Sequence, residues 1–266
     1  KDGAISVEEA RSNETSLDLV EGFRFDSGHV ANAFITDERR GAVVYEDPLI
    51  LVADCKLEKV DELLPVLEVV AREGRPLIIV ASDIEGQALA ALIMNAMRGT
   101  MKVCAVKSPR YGEERRNILK DLCLATGAEY VTKSAGLKLK EVELQHLGSC
   151  KKVEILKNLS TFVGGKGDYQ EVDRRIENLK VELDQTESLR ECERIQERIT
   201  RLASGVAIIR VGAPTEVEMV EKKHRIEDAL EAVRSAQLEG IVPGGGVALV
   251  RATPKPRDWG PDEAIV

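Results

Sequence analysis

Four short apolar runs, at residues 49–53, 77–81, 102–106 and 129–131, recur at roughly 25-residue spacing with helical patterns between them. A parallel strand pair needs a crossover of a dozen or more residues, and these intervals are of that kind. The spacing therefore predicts βαβ units: an α/β fold with a mostly parallel sheet flanked by helices.

Residues 61–99 hold the strongest part of this pattern, read as helix, strand, helix. On a helical wheel, Val60, Leu63, Leu64, Val66, Leu67, Val69, Val70 and Ala71 spread over roughly 220°, where a stripe a little over about 100° suffices to dock a helix on a sheet. The second helix is more apolar still: residues 88–94 are an unbroken apolar run, and only Asn95 precedes Ala96 and Met97. Two readings follow. Another layer covers the excess, the commoner habit of apolar side chains. Or the two helices leave an apolar groove open to other chains, which the flexible thioethers of Met94 and Met97 suit. Pro65 is expected near the start of the first helix, where its missing N–H costs little. Gly74 and Gly99 are expected to cap the two helices.

A chain of 266 residues has room for one large or two ordinary domains. Its net charge of −8 and the lack of a basic stripe argue against nucleic acid as a partner. Cys55, Cys104, Cys123, Cys150 and Cys192 are odd in number and lack CxxC spacing, which disfavours a disulfide framework or a thiolate metal site. A reducing compartment, the cytoplasm or an organelle matrix, is implied. No run approaches the ~18 apolar residues of a membrane span, and residues 1–20 lack a signal-peptide core, so no membrane partner is expected.

Outside the alternation, residues 4–7 and 17–20 read as short extended pieces that must pair with something distant, and 21–40 as loops with short extended pieces. Ile118, Leu119, Leu122 and Cys123 give a third helix an apolar face. Over 168–204, Val172, Ile176, Leu179 and Leu183 repeat at heptad-like spacing, as do Cys192, Ile195, Ile199 and Leu202, amid charges. That predicts a long antiparallel helical pair turning at 185–188. Residues 205–212 read as a strand and 215–238 as a helix capped by Thr215. The proline-rich tail from Pro254 is expected to be poorly ordered.

Candidates for covalent chemistry are few. Gly244, Gly245 and Gly246 can let backbone approach a phosphate, but no GxxxxGK[ST] or strand-linked GxGxxG accompanies them. The Gly164, Gly165, Lys166, Gly167 run reads as a turn. Asp228 is one carboxylate among many on a charged helix, and His29, His146 and His224 are too scattered for a metal motif. Spacing alone reaches an α/β protein with unusually apolar helices, and an α/β nucleotide-dependent enzyme using the glycine triplet and Asp228 stays open beside it.

Several strings in one order resemble the group I chaperonins, the GroEL-type family, over nearly the whole chain. They are Val20-Glu21-Gly22 with Phe25-Asp26, Leu64-Pro65-Val66-Leu67-Glu68, Glu85-Gly86-Gln87-Ala88-Leu89, Ala105-Val106-Lys107, Gly205-Val206-Ala207, Thr215-Glu216-Val217-Glu218-Met219, Glu227-Asp228-Ala229-Leu230 and Gly244-Gly245-Gly246-Val247-Ala248-Leu249. The resemblance implies an apical polypeptide-binding domain at 21–206, small α+β intermediate-domain portions at 1–20 and 207–239, and the start of an equatorial segment at 240–266.

By motif match, Leu64, Leu67, Leu89, Ile93, Met94 and Asn95 fall where the family's apical helices bind non-native polypeptide and the mobile loop of a GroES-type co-chaperonin, which favours the groove reading. Phe34 matches a further apolar contact. Its neighbourhood departs from the pattern: His29-Val30-Ala31-Asn32-Ala33-Phe34 stands where the family commonly has Tyr-Leu-Ser-Pro-Tyr-Phe, and two aromatic contact surfaces are lost. Asp228 matches the family's catalytic aspartate, Gly245 a nucleotide-contacting glycine, and Glu216 an acid in a switchable inter-subunit contact. The implied parent is a homo-oligomeric ring that uses ATP and Mg. The first equatorial segment, with its Gly-Asp-Gly-Thr-Thr motif, is not in this sequence. This chain alone is therefore expected neither to close a ring nor to bind or hydrolyse ATP stably.

Overall fold

Strands and helices alternate from residue 49 to 132, as the apolar spacing predicts, but a second set of strands that pair antiparallel flanks them. The structure, a computed structural model, describes residues 4–10, 12–132, 137–203 and 205–253. In chain order these form β1 (Ala4–Glu9), β2 (Ser16–Phe25), β3 (Val43–Glu46), β4 (Leu49–Leu57), α1 (Val60–Glu73), β5 (Leu77–Ile84), α2 (Gly86–Met97), β6 (Val103–Lys107), α3 (Gly112–Thr126) and β7 (Tyr130–Thr132). They continue with β8 (Gly148–Ile155), β9 (Ser160–Gly165), α4 (Tyr169–Gln185), α5 (Leu189–Ala203), β10 (Gly205–Val211), α6 (Glu216–Glu239) and α7 (Val247–Ala252). The chain divides into two units, Lys1–Ser6 with Leu17–Ile208, and Val7–Ser16 with Ile209–Val266.

In the first unit, β4, β5 and β6 pair in parallel, Ile50 opposite Ile78 and Ile78 opposite Cys104. The other edge of β4 is shared, with Leu49 and Ile50 antiparallel to β8 and Val52 to Asp54 parallel to β7. Beyond β8 the pairing is antiparallel, through β9 to β2 on one side and to β3 on the other. The sheet is thus mixed, which corrects the mostly parallel expectation. The antiparallel half is built from stretches such as Gly148–Ile155, GSCKKVEI, whose partners lie far away in sequence and whose charges mask a strand signal. For the same reason β2 is a ten-residue strand where short pieces and loops were expected, and Gly164 and Gly165 end β9 rather than opening a turn.

Burial explains why the parallel strands read so clearly. Residues 49–53 and 77–81 are buried without alternation, as strands covered on both faces must be. The antiparallel half has its own anchor in Phe23, Phe25 and Phe162, the last two with ring centroids 5.8 Å apart. Both halves belong to one apolar core, which α1, α2 and α3 border and to which α4 and α5 add Leu179, Ile195, Ile199 and Leu202.

Helix ends follow local chemistry. Gly74 closes α1 at φ 66°, a left-handed cap that costs glycine nothing, and Asp168 caps α4 by accepting from the Gln170 N–H at 2.9 Å. Pro65 sits a full turn inside α1, not at its start, so the Asp61 carbonyl loses its ordinary i+4 donor. The helical pair is as expected, α4 and α5 joined by residues 186–188. In the second unit, Thr215 caps α6 by accepting from Glu218 N–H at 3.3 Å, and Lys223 pairs with Glu9 at 3.0 Å. No helix among the described residues is long and apolar enough to cross a membrane. The tail from Pro254 lies outside the described residues.

Candidate functional site

Helices α1 and α2 follow β4 and β5, parallel neighbours, and so lie side by side and touch. At their entries Lys56 Nζ pairs with both Glu58 and Glu85 at 2.6 Å, tying the start of one helix to the start of the other. These hydrogen bonds hold the Lys56 ammonium above its ordinary range. Leu63, Val66, Leu67 and Val70 of α1, with Ala88 and Leu92 of α2, point into the core.

The apolar excess divides. Leu64 is 43% exposed, Met94 47% and Met97 72%, whereas Leu89, Ile93 and Ala96 are half-buried against the core. Leu67 is 8% exposed and Phe34 only 2%. Phe34 closes a short 3-10 turn packed on α2 and β6. Asn95 turns its amide to its own helix end: Nδ2 donates to the Ala91 carbonyl at 2.9 Å, and Oδ1 accepts from the Thr100 hydroxyl at 2.9 Å. The surface presented to solvent is therefore Leu64 on one helix and Met94 and Met97 on the other, with Leu89 and Ile93 half-covered. What these apolar side chains can do is take up apolar groups. Met97, absent from the motif-matched set, is its most exposed apolar member, and nothing in a helical wheel separates it from Met94.

The other candidates lie in the second unit. Glu216 is exposed in the first turn of α6, and Asp228 is exposed further along it, without an ion pair among the described residues. Gly244, Gly245 and Gly246 form an exposed turn before α7, Gly245 at φ 64°, and a Cβ built on any of the three meets nothing within 4 Å. Space for a ligand's close approach is there, but no described side chain gathers around it. No group of three or more His, Cys, Asp or Glu among the described residues could hold a metal ion, so these residues do not by themselves make a Mg site.

A sequence model of the TCP-1/cpn60 chaperonin family matches residues 2–256.

Proposed function

The chain belongs to the TCP-1/cpn60 chaperonin family, and on that premise we propose that the α1–α2 surface is its seat for non-native polypeptide. A chaperone role, unfolded polypeptides as substrates and assembly into rings go with the family in general. The finer reading is a group I chaperonin whose apical domain, at 21–206, binds client and the mobile loop of a GroES-type co-chaperonin through Leu64, Leu89, Ile93, Met94 and Asn95, with buried Leu67 and Phe34 behind them. One observation carries it: three large apolar side chains, Leu64, Met94 and Met97, stand exposed on adjacent helices.

The physics is passive. A misfolded chain exposes apolar surface, and covering it returns about 25 cal/mol per Å². Adaptable thioethers accept many sequences, and a ring of such surfaces multiplies weak contacts by avidity. Leu67 and Phe34 then act from beneath, holding the exposed groups in place. Residues 1–20 and 207–239 are proposed as intermediate-domain portions and 240–266 as the start of an equatorial segment. In that reading ATP and Mg are the parent's cofactors, Asp228 its catalytic carboxylate, Gly245 a nucleotide contact and Glu216 an inter-subunit acid.

The test is fluorescence anisotropy with a labelled, permanently unfolded polypeptide. Binding that an excess of GroES-type mobile-loop peptide displaces, and that Leu64→Glu weakens, supports the reading. Binding indifferent to both overturns it.

A further inference from the structure

A concavity in the first unit lies between the turn at 35–41 and the β8–β9 turn, about 410 Å³ in volume. We propose that it binds an organic monocarboxylate, a planar anion carrying an apolar body. Its polar lining is made of Asn32, Arg40, Lys157, Asn158 and His29, and no carboxylate among the described residues lines it.

Charge decides the class of ligand. The Arg40 guanidinium is already paired with Glu154, so its charge is compensated. Lys157 is exposed and has no ion pair or side-chain hydrogen bond among the described residues. One positive charge is left over, which matches a monoanion better than a dianionic phosphate. The Asn32 and Asn158 amides, likewise without partners among the described residues, supply neutral donors.

His29 adds an independent reason. Its side chain is buried, 7% exposed, and neither Nδ1 nor Nε2 has a hydrogen-bond partner among the described residues. An imidazole left so has both ring nitrogens open to water or to a ligand, and it forms part of the wall of this cavity. Half-buried Ile35, Leu156 and Leu159 line the rest and suit an alkyl or aryl body. His29, Lys157 and Asn158 also border a larger concavity of about 610 Å³, but Asp26 and Asp83 line that one and Lys107 is spent on Asp83 at 3.1 Å, so the side on which an anion meets Lys157 is the one lined by Arg40 and Asn32. No surplus positive charge is left there for an anion.

The carboxylate can come from a free acid or from an acidic side chain or C-terminus of a bound polypeptide. The experiment is an NMR titration of the full chain with octanoate, octanol and octylamine, and with a leucine-terminated peptide as its free acid and as its amide. Octanoate is expected to move the His29 ring and the Leu156 and Leu159 methyl resonances while octanol and octylamine do not. Lys157→Gln, at an exposed turn, should weaken octanoate about tenfold or more, as loss of a charge-assisted contact does. Peptide acid binding where its amide fails assigns the site to polypeptide; octanoate binding alone assigns it to free acids. The proposal is overturned if octanol matches octanoate, if Lys157→Gln binds octanoate unchanged, or if none of these resonances moves. None of these outcomes bears on the α1–α2 surface.

Discussion

Arg198 of α5 grips Asp121 of α3 with two parallel hydrogen bonds, Nε to Oδ2 and Nη2 to Oδ1, each 2.8 Å long. Both side chains are buried, and Arg175 of α4 stands 3.8 Å from the same carboxylate. The charged helical pair is thus fastened to the α/β core through a fork-to-fork ion pair as well as through Leu179, Ile195 and Ile199.

Removing one partner of such a pair strands the other charge. Asp121→Ala is expected to destabilise the first unit by about 3–5 kcal/mol. The double replacement Asp121→Leu with Arg198→Leu should cost much less, because no buried charge is left behind. Denaturant midpoints of the three proteins check this.

Gly28 lies where the chain leaves β2 and passes over the β8–β9 turn. A Cβ there would sit 1.8 Å from the Leu156 carbonyl oxygen, a backbone atom that cannot step aside alone. Gly28→Ala should cost on the order of 3 kcal/mol or more, the upper range for overpacking. The His29 N–H bond to Leu156 O, 3.3 Å long, should lose hydrogen-exchange protection first.

The α/β half was legible because residues 49–53 and 77–81 are buried on both faces and carry no charge to blur the period. Strands β2, β3, β8 and β9 were not, since Phe23 meets Phe162 across some 140 residues and no local pattern announces that pairing. At the candidate site, periodicity named the apolar residues of α1 and α2 correctly as apolar. It could not say that Leu67 faces inward while Leu64 faces out, because their coverage depends on the sheet and on their neighbours. His29 gave no motif at all. That its ring nitrogens find no partner among the described residues emerges only once β2, β6 and the β8–β9 turn meet around it.

Asp47, exposed in the turn between β3 and β4, is held below the usual carboxylate range chiefly by its hydrogen bond from Lys166, with Arg75 also close at 3.0 Å. A carboxyl with a depressed folded pKa stabilises above its unfolded value of about 3.9 and loses that stabilisation as pH falls through the folded value. Asp47→Asn keeps a residue tolerant of the φ of 48° found here. The stability gap between the two proteins should be under about 1 kcal/mol near pH 7, as suits an exposed pair, and should close on acidification below about pH 4. Urea midpoints across pH 2–7 measure it.

Of the five cysteines, four are buried and only Cys192 is partly exposed. Burial pushes the Cys123 and Cys150 thiols up to about 12 and raises the Cys104 thiol too. In the folded chain a thiol reagent should therefore label Cys192 rapidly and the rest only on unfolding. Mass spectrometry of Cys192→Ser should show the fast phase gone.

Apolar side chains on α1 and α2 face water, and in the proposed function they hold other chains there. The most direct measurement is light scattering as a chemically unfolded client is diluted into the folded protein, compared with Leu64→Glu and Met97→Glu. Both positions are exposed, so the variants should keep the native circular dichroism, unlike a charge forced in at buried Leu67. The native chain is expected to suppress aggregation, and the two variants, singly in part and together almost fully, to lose that ability. Suppression undiminished in the double variant, or none from the native chain, would contradict the proposed function.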